Sequence, residues 1–499
     1  MNFVEHLHVL IVAIPLLAVP IIPLVGRLRL DFSWYFTFLA LSLSFFMSLN
    51  LLMNVWGSGP VSYFLGGWRP PWGIEFHFDL LNSFVMVVTT FIAFVSVIYA
   101  KQSVANEISY DKIPAFYAVF VLFFVGLFGM IATGDIFNLY VFLEITSLAG
   151  YALIAAGKRR YAKMASFNYL ILGTIAATFI VLGIGYLYMA TGTLNMKDLA
   201  ERLPEVYESR VVFTGLAFII VGLLIKMAVF PLHLWLPDAY KYSPSVVSAA
   251  MAATSTKVAA YVMMRILFSI FKIEFNVIGI PITELFIYIS SIGIIVGSVL
   301  AISQTNIKLM LAYSSIGQIG YIVLAAAMMN PVALSGGIIH ILNHALMKGG
   351  LFFVVGAVAY KLGTEKISDF RGLGKRMPLS AFAFTIFSMS IVGVPLTVGF
   401  VSKWYLVTGA VASAHWYVIP VILLSSLLTA IYFGRIINLM YFSKKPDEGE
   451  IIRNEAPFGL VAPTLAVAGL CIFFGIAASV PIEIAAKAAD ALIGGGLWK

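Results

Sequence analysis

Residues 223–240 read LLIKMAVFPLHLWLPDAY, an apolar run of membrane-span character that carries Lys226 five positions ahead of Pro231. Proline removes one N–H from the helical ladder and clashes with the preceding turn, so this segment predicts a broken helix. A second stretch, IVGVPLTVGFVSKW at residues 391–404, repeats the plan with Pro395 and Lys403. Counting apolar segments along the chain makes these the seventh and twelfth spans. An odd offset means that the two copies cross the membrane in opposite directions, which is the arithmetic of an inverted repeat. The other reading open at this point is that both prolines merely kink packed helices.

The surrounding composition places these segments in a bilayer. The chain has 499 residues, 61% hydrophobic and 11% charged, against about 25% charged in soluble domains. Polar or Pro/Gly breaks separate about fourteen apolar segments, and stretches of roughly 20 apolar residues each suffice to span a hydrocarbon core as helices. The expected fold is an all-α polytopic membrane protein with no separate soluble domain. The N-terminal run MNFVEHLHVL carries Glu5 in place of a basic cluster and reads as the first span.

Cys471 is the single cysteine. One thiol supports neither a disulfide framework nor an iron–sulfur cluster, so no redox or hydrolytic chemistry is expected in the chain itself, and any redox step belongs to a partner. The net charge of +8 arises mainly in short connections, which points to membrane orientation rather than nucleic acid. With the N-terminus outside, most Lys and Arg fall on inner connections, and both termini are expected on the outer side. Arg435 and Arg265 are expected to snorkel from helix ends toward opposite surfaces.

Five charges remain inside apolar segments: Glu144, Lys226, Lys257, Lys348 and Lys403. An ion at mid-bilayer costs about 2.5–3.5 kcal/mol on insertion scales, so each is a functional candidate. Isolated buried charges are driven toward neutrality, whereas pairing Glu144 with Lys226 holds both ionised. Separating such a pair releases a proton, which makes it a switch; a static pair that only fixes helix packing is the plainer alternative. In GGIIHILNHALMKGGLFF, residues 336–353, His340, His344 and Lys348 recur every four residues and share a narrow helical stripe. His-x-x-x-His is also a zinc-like spacing, but no Glu base lies between the two and the next rung is cationic, so no metal is expected. Histidine passes protons through either ring nitrogen. Ser255, Thr254, Ser314, Ser315, Ser335 and Asn343 are expected to hold bridging waters. His233 and Asp238, at the seventh-span break, either feed protons in or cap irregular backbone. Glu75, His77 and Asp79, in the loop before the third span, are given no role.

Taken together, FLEITSLAGYALIA, IKMAVFPLHLWLPDAY, STKVAAYVMMR, YSSIGQIGYI, HILNHALMKGGLFF and GVPLTVGFVSKW resemble the antiporter-like subunits of respiratory complex I and its relatives, over roughly residues 80–440. Within that superfamily the chain is most similar to the D-type subunit of Mrp-type cation/proton antiporters and its counterparts in membrane-bound hydrogenases and related archaeal complexes. The resemblance implies fourteen transmembrane helices, two inverted five-helix repeats and a central polar axis between two half-channels. It divides the chain into residues 1–112 (helices 1–3), 113–272 (first repeat), 273–445 (second repeat) and 446–499 (helix 14 and tail). It also implies that Glu144, Lys226, Lys257, the His340/His344/Lys348 group and Lys403 translocate protons. Lys403 falls at a position that is lysine in some branches and glutamate in others. Unlike the largest members, the chain is expected to lack their long lateral helix.

The expected function is therefore a proton-translocating subunit of a multisubunit complex in the cytoplasmic membrane, without a cofactor. Coupling runs either to Na⁺/H⁺ antiport or to a peripheral redox module, with other membrane subunits and lipid as partners. A stand-alone carrier of an organic solute and a non-conducting structural subunit are the competing classes.

Overall fold

A computed structural model describes residues 3–272, 282–443 and 453–494 and is helical almost throughout. Thirteen helices among these residues are long and apolar enough to cross a membrane. Two shorter apolar helices follow one another where the twelfth span is expected, so a fourteenth crossing is assembled from two halves.

The chain opens with α1 (Phe3–Leu28), α2 (Leu30–Ser58) and, after a hairpin, α3 (Leu80–Glu107). The hairpin joins β1 (Val61–Phe64) and β2 (Glu75–Phe78) antiparallel, with Val61 opposite Phe78 and Phe64 opposite Glu75. Next come α4 (Ile113–Ala132), α5 (Ile136–Ala155), α6 (Ala162–Thr191), a short α7 (Met196–Arg202), α8 (Arg210–Met227) and a short α9 (Leu236–Tyr242). The eighth span is α10 (Ser245–Ala253) and α11 (Ser255–Met264), closed by a π-helical turn at Arg265–Ile270. There follow α12 (Ile282–Ile302), α13 (Ile307–Ala327), α14 (Pro331–Leu362), a one-turn α15 (Leu373–Arg376), α16 (Pro378–Val392), α17 (Val398–Ala412) and α18 (Ile419–Tyr441). The last elements are α19 (Phe458–Ile476) and α20 (Ser479–Ile493). The segment after the fourteenth span is thus a helix and not a plain tail; it packs against α14 and α3.

Sequence-local chemistry sets many of these ends. Asp79 and Asn82 form a reciprocal capping box at the start of α3, and the side chains of Asp135, Asn306 and Asn330 accept from the first backbone N–H groups of α5, α13 and α14. Each satisfies donors that a helix start leaves orphaned. The same backbone pairing occurs twice: Asp135 bridges Asn195 and, further along, Asn306 bridges Lys366. One shift along the chain relates both members of the two bridges, and the two junctions are five spans apart.

Both expected helix breaks are present. α8 stops at Met227, where Ala228 turns left-handed with φ 57°, and the freed Ile225 carbonyl accepts from the Trp235 indole at 2.8 Å. α16 stops at Gly393, φ 91°, a conformation that only glycine adopts without strain. A third break, not foreseen, separates α10 from α11 at Thr254 (φ −123°, ψ −58°).

Burial locates the centre of the bundle. The apolar windows of α14 and of the eighth span are each 94% buried, whereas those of α1 and α18 are 33% buried. The middle of the molecule is therefore α10, α11, α13 and α14, and the outer helices present apolar faces to lipid or to neighbouring subunits.

Candidate functional site

A desolvated amine needs hydrogen-bond acceptors, and a broken helix supplies them as carbonyls without an intrahelical partner. Three of the four axial lysines sit at such breaks. Lys403 of α17 reaches back to the end of α16 and donates to the carbonyls of Ile391 and Val392, each at 2.9 Å, and to Ser426 Oγ at 2.9 Å. A cation at a helix C-terminus also meets the negative end of the macrodipole. Lys257 donates to the Ala252 carbonyl at the end of α10 and to Thr256 Oγ1 at 3.4 Å. Lys226, in the last turn of α8, donates to Ser147 Oγ at 2.7 Å and lies 3.8 Å from Glu144 Oε1. Lys348 is fully buried in unbroken α14 and donates to the Leu311 carbonyl of α13 at 2.9 Å.

The Glu144–Lys226 pair expected from the sequence is thus formed, but asymmetrically: the lysine is 7% exposed and the glutamate 27%. Glu144 lies on one face of α5 with Phe137, Val141 and Leu148, all exposed. The glutamate is therefore only partly open to the flank, its Oε1 being buried beside the lysine.

His340 and His344 form the expected ladder, with rings stacked 5.7 Å apart. His340 Nδ1 lies 2.9 Å from Ser402 Oγ on α17. Its ring meets Tyr321 edge-on at 5.7 Å, and Lys403 Nζ stands 5.5 Å from the centre of the same tyrosine ring. Tyr321, Ser402, Ser147 and Ser426 thereby join the site although the sequence did not single them out. Of the groups expected to hold water, Thr254, Ser315, Ser335 and Asn343 donate to backbone carbonyls and Ser314 pairs with Tyr432. The buried Oγ of Ser255 and both ring nitrogens of His344 have no hydrogen-bond partner among the described residues. His233 is buried and stacks on Phe230 at 5.5 Å. Asp238, in the first turn of α9, is half-buried. No group of three or more potential metal ligands occurs among the described residues.

Two further ion clusters correct the sequence reading. Arg265 does not snorkel: it is buried and pairs with Asp79 at 2.6 Å, with Tyr261 Oη 3.3 Å from its Nε. Glu75, His77 and Asp79, given no role from the sequence, are likewise buried, with β2 bridged through Phe76 to Thr133 at the end of α4. Asn195 donates to Glu75 at 2.8 Å. Burial raises the proton affinity of the Asp79 carboxyl, but the Arg265 guanidinium outweighs it and holds the group below the ordinary range. At the opposite ends of the helices, Glu365 joins Lys308, 3.1 Å away, and Arg159, which grips both carboxylate oxygens. Here too burial opposes ionisation, yet the two cations bring the Glu365 carboxyl down to about 2. Arg435 caps the end of α12 through the Ile302 and Gln304 carbonyls, in keeping with a helix-end cation.

Residues 133–429 match the model of the family described as NADH:quinone oxidoreductase/Mrp antiporter, transmembrane. The N-type subunit of the NADH-quinone oxidoreductase of Desulforudis audaxviator (strain MP104C) is 46% identical over 91% of this chain and 90% of its own length. The D-type subunit of the Na(+)/H(+) antiporter of Alkalihalophilus pseudofirmus (strain ATCC BAA-2126 / JCM 17055 / OF4) is 29% identical over 90% and 89%. A chain of the membrane-bound sulfane sulfur reductase, an archaeal respiratory membrane complex, superposes with a TM-score of 0.91 at 33% identity, covering 98% of this chain and 99% of that one. Sequence and architecture agree over nearly the whole length: this multi-pass membrane chain belongs to the antiporter-like subunit family shared by NADH:quinone oxidoreductases and Mrp antiporters.

Proposed function

We propose that the chain translocates protons along Glu144–Lys226, Lys257, the His340/His344/Lys348 stripe and Lys403. The observation that carries this reading is the placement of Lys226, Lys257 and Lys403 at three helix breaks, with His340 and Tyr321 between the central group and Lys403. A lysine held by acceptors in a dry interior keeps its proton only while they stay in place, so small movements at a break transfer it to the next base. Glu144 acts as the gate, because its ion pair with Lys226 is the one carboxylate contact on the path. Water bridges the remaining gaps, beginning at His344 and Ser255. His233 and Asp238 supply protons from the inner face.

The partly exposed Glu144 on an apolar flank supports neighbouring membrane subunits, since a carboxylate partly open to lipid at mid-span is costly. Higher identity to an NADH-quinone oxidoreductase subunit than to an Na(+)/H(+) antiporter subunit favours energy input from a peripheral redox module over Na⁺ exchange. The duplicated backbone bridge supports two inverted repeats at residues 113–272 and 273–445, flanked by residues 1–112 and 446–499. The reading places the protein in the cytoplasmic membrane with both termini outside; Met1, Asn2, Lys444, Lys445 and residues 495–499 lie outside the described residues.

The test is Glu144→Ala in the purified complex reconstituted into vesicles. Loss of coupled proton transport with all subunits present is expected. Normal transport in the assembled variant excludes the Glu144 switch.

A further inference from the structure

Between the ends of α1, α2, α3 and α4 lies a cavity of about 880 Å³ whose lining includes Arg27, Arg29 and Lys101, with Asp31 as the single acid. We propose that it is a binding site for the headgroup of an anionic phospholipid.

What distinguishes these three cations is that they converge on one cavity. Arg159 and Lys308 are engaged by Glu365, and Arg435 by helix-end carbonyls. Arg27, Arg29 and Lys101 form no ion pair among the described residues and are exposed. The arginines flank the abrupt turn from α1 to α2, so both are fixed to one short stretch of backbone. Lys101 reaches the same space from α3 and is seated on aromatic faces, 4.3 Å from the centre of Trp34 and 5.3 Å from that of Tyr35. Trp34 is in turn pinned by its indole N–H to the Val97 carbonyl at 2.8 Å. The lysine is thus preorganised, which lowers the ordering cost of binding.

A side chain at Gly26 would meet Ser33 and Pro114, so α1, α2 and α4 approach closely at this point of the lining. Leu28 in the cavity lining, and Leu24, Phe36 and Leu39 beyond it, are exposed apolar residues on α1 and α2. Acyl chains can run along them while the phosphate sits among the cations. Basic pockets between helix ends, walled by interfacial aromatics, fit an anionic headgroup better than free phosphate, which would gain nothing from the apolar apron.

The test uses the full chain in its native complex, in phosphatidylcholine nanodiscs doped with photoactivatable phosphatidylglycerol, with labelled peptides mapped by mass spectrometry. Labelling is expected on peptides containing Tyr35 or Tyr110. It should fall at least fivefold in the Arg27→Gln/Arg29→Gln/Lys101→Gln variant and stay unchanged in Arg160→Gln/Lys163→Gln. The single Lys101→Gln variant, with a more modest drop, serves if the triple variant fails to fold. Unlabelled phosphatidylglycerol should displace the probe and inorganic phosphate should not. Equal labelling by a phosphatidylcholine probe, displacement by inorganic phosphate, undiminished labelling of the variants, or a neighbouring-subunit peptide cross-linked in place of lipid would each overturn the proposal.

Discussion

Lys403 keeps its amine in the membrane interior on carbonyls that exist as free acceptors only because α16 has ended. At this scale, the charged half of the site was legible in the sequence and the neutral half was not. Glu144, Lys226, Lys257, Lys348 and Lys403 stand out because a charge among apolar residues has few reasons to be there. Ser147, Ser402 and Ser426 carry no such signal, since serine hydroxyls satisfy themselves on the preceding turn of many membrane helices, as Ser290 and Ser298 do here, and Tyr321 reads as an ordinary aromatic in an apolar helix. Tyr321 is the residue to test. Tyr321→Phe keeps the ring beside His340 and removes the hydroxyl, so proton flux in reconstituted vesicles should fall severalfold with little change in thermal stability. Lys403→Ala leaves the Ile391 and Val392 carbonyls without that donor. It should stop transport and also cost about 1–3 kcal/mol in an unfolding titration, the penalty of buried unsatisfied polar groups.

At the scale of elements, prolines announced two of the three breaks. The third, between α10 and α11, has no proline to betray it; only the run of small and hydroxyl residues AATST, residues 252–256, marks the place where Lys257 finds its acceptor. Gly393 shows why the break geometry matters: it is left-handed, and an added Cβ would stand 3.0 Å from the Lys403 side chain. Gly393→Ala is expected to destabilise the protein by about 1–3 kcal/mol, as strained left-handed backbone does, and to lower flux by displacing Lys403. Differential scanning calorimetry and vesicle transport check the two effects separately. The Asp79–Arg265 pair was illegible for a different reason: an acid in a loop usually meets water, and nothing local shows that this one is buried. Removing one member, as in Asp79→Asn, should cost about 3–5 kcal/mol, because the buried Arg265 guanidinium loses its carboxylate.

Across the whole molecule, the span count and family were legible from hydropathy and motifs, whereas the contacts that tie distant segments together were not. The Arg159–Glu365–Lys308 cluster links the α5–α6 connection to α13 and to the residue stretch after α14. Its pH dependence follows from a carboxyl whose ordinary value of 4.5 is brought to about 2. A depressed carboxyl contributes stability that is fully present above the ordinary value and is lost as pH falls toward the folded one. Wild type should therefore exceed Glu365→Gln in thermal stability at neutral pH, and the gap should close between about pH 4.5 and 2. On the proposed path, proton conduction is also a property of the whole, because one missing base along that path would interrupt it. Lys257 is its most informative member: it is buried at the centre, away from the Glu144 flank and from the Lys403 terminus. The decisive measurement is energised proton uptake, followed with a pH-sensitive dye, in vesicles holding the complete complex with Lys257→Ala. Uptake at background level with wild-type subunit composition is the predicted result; undiminished uptake in the same assembled complex would contradict a lysine-borne proton path.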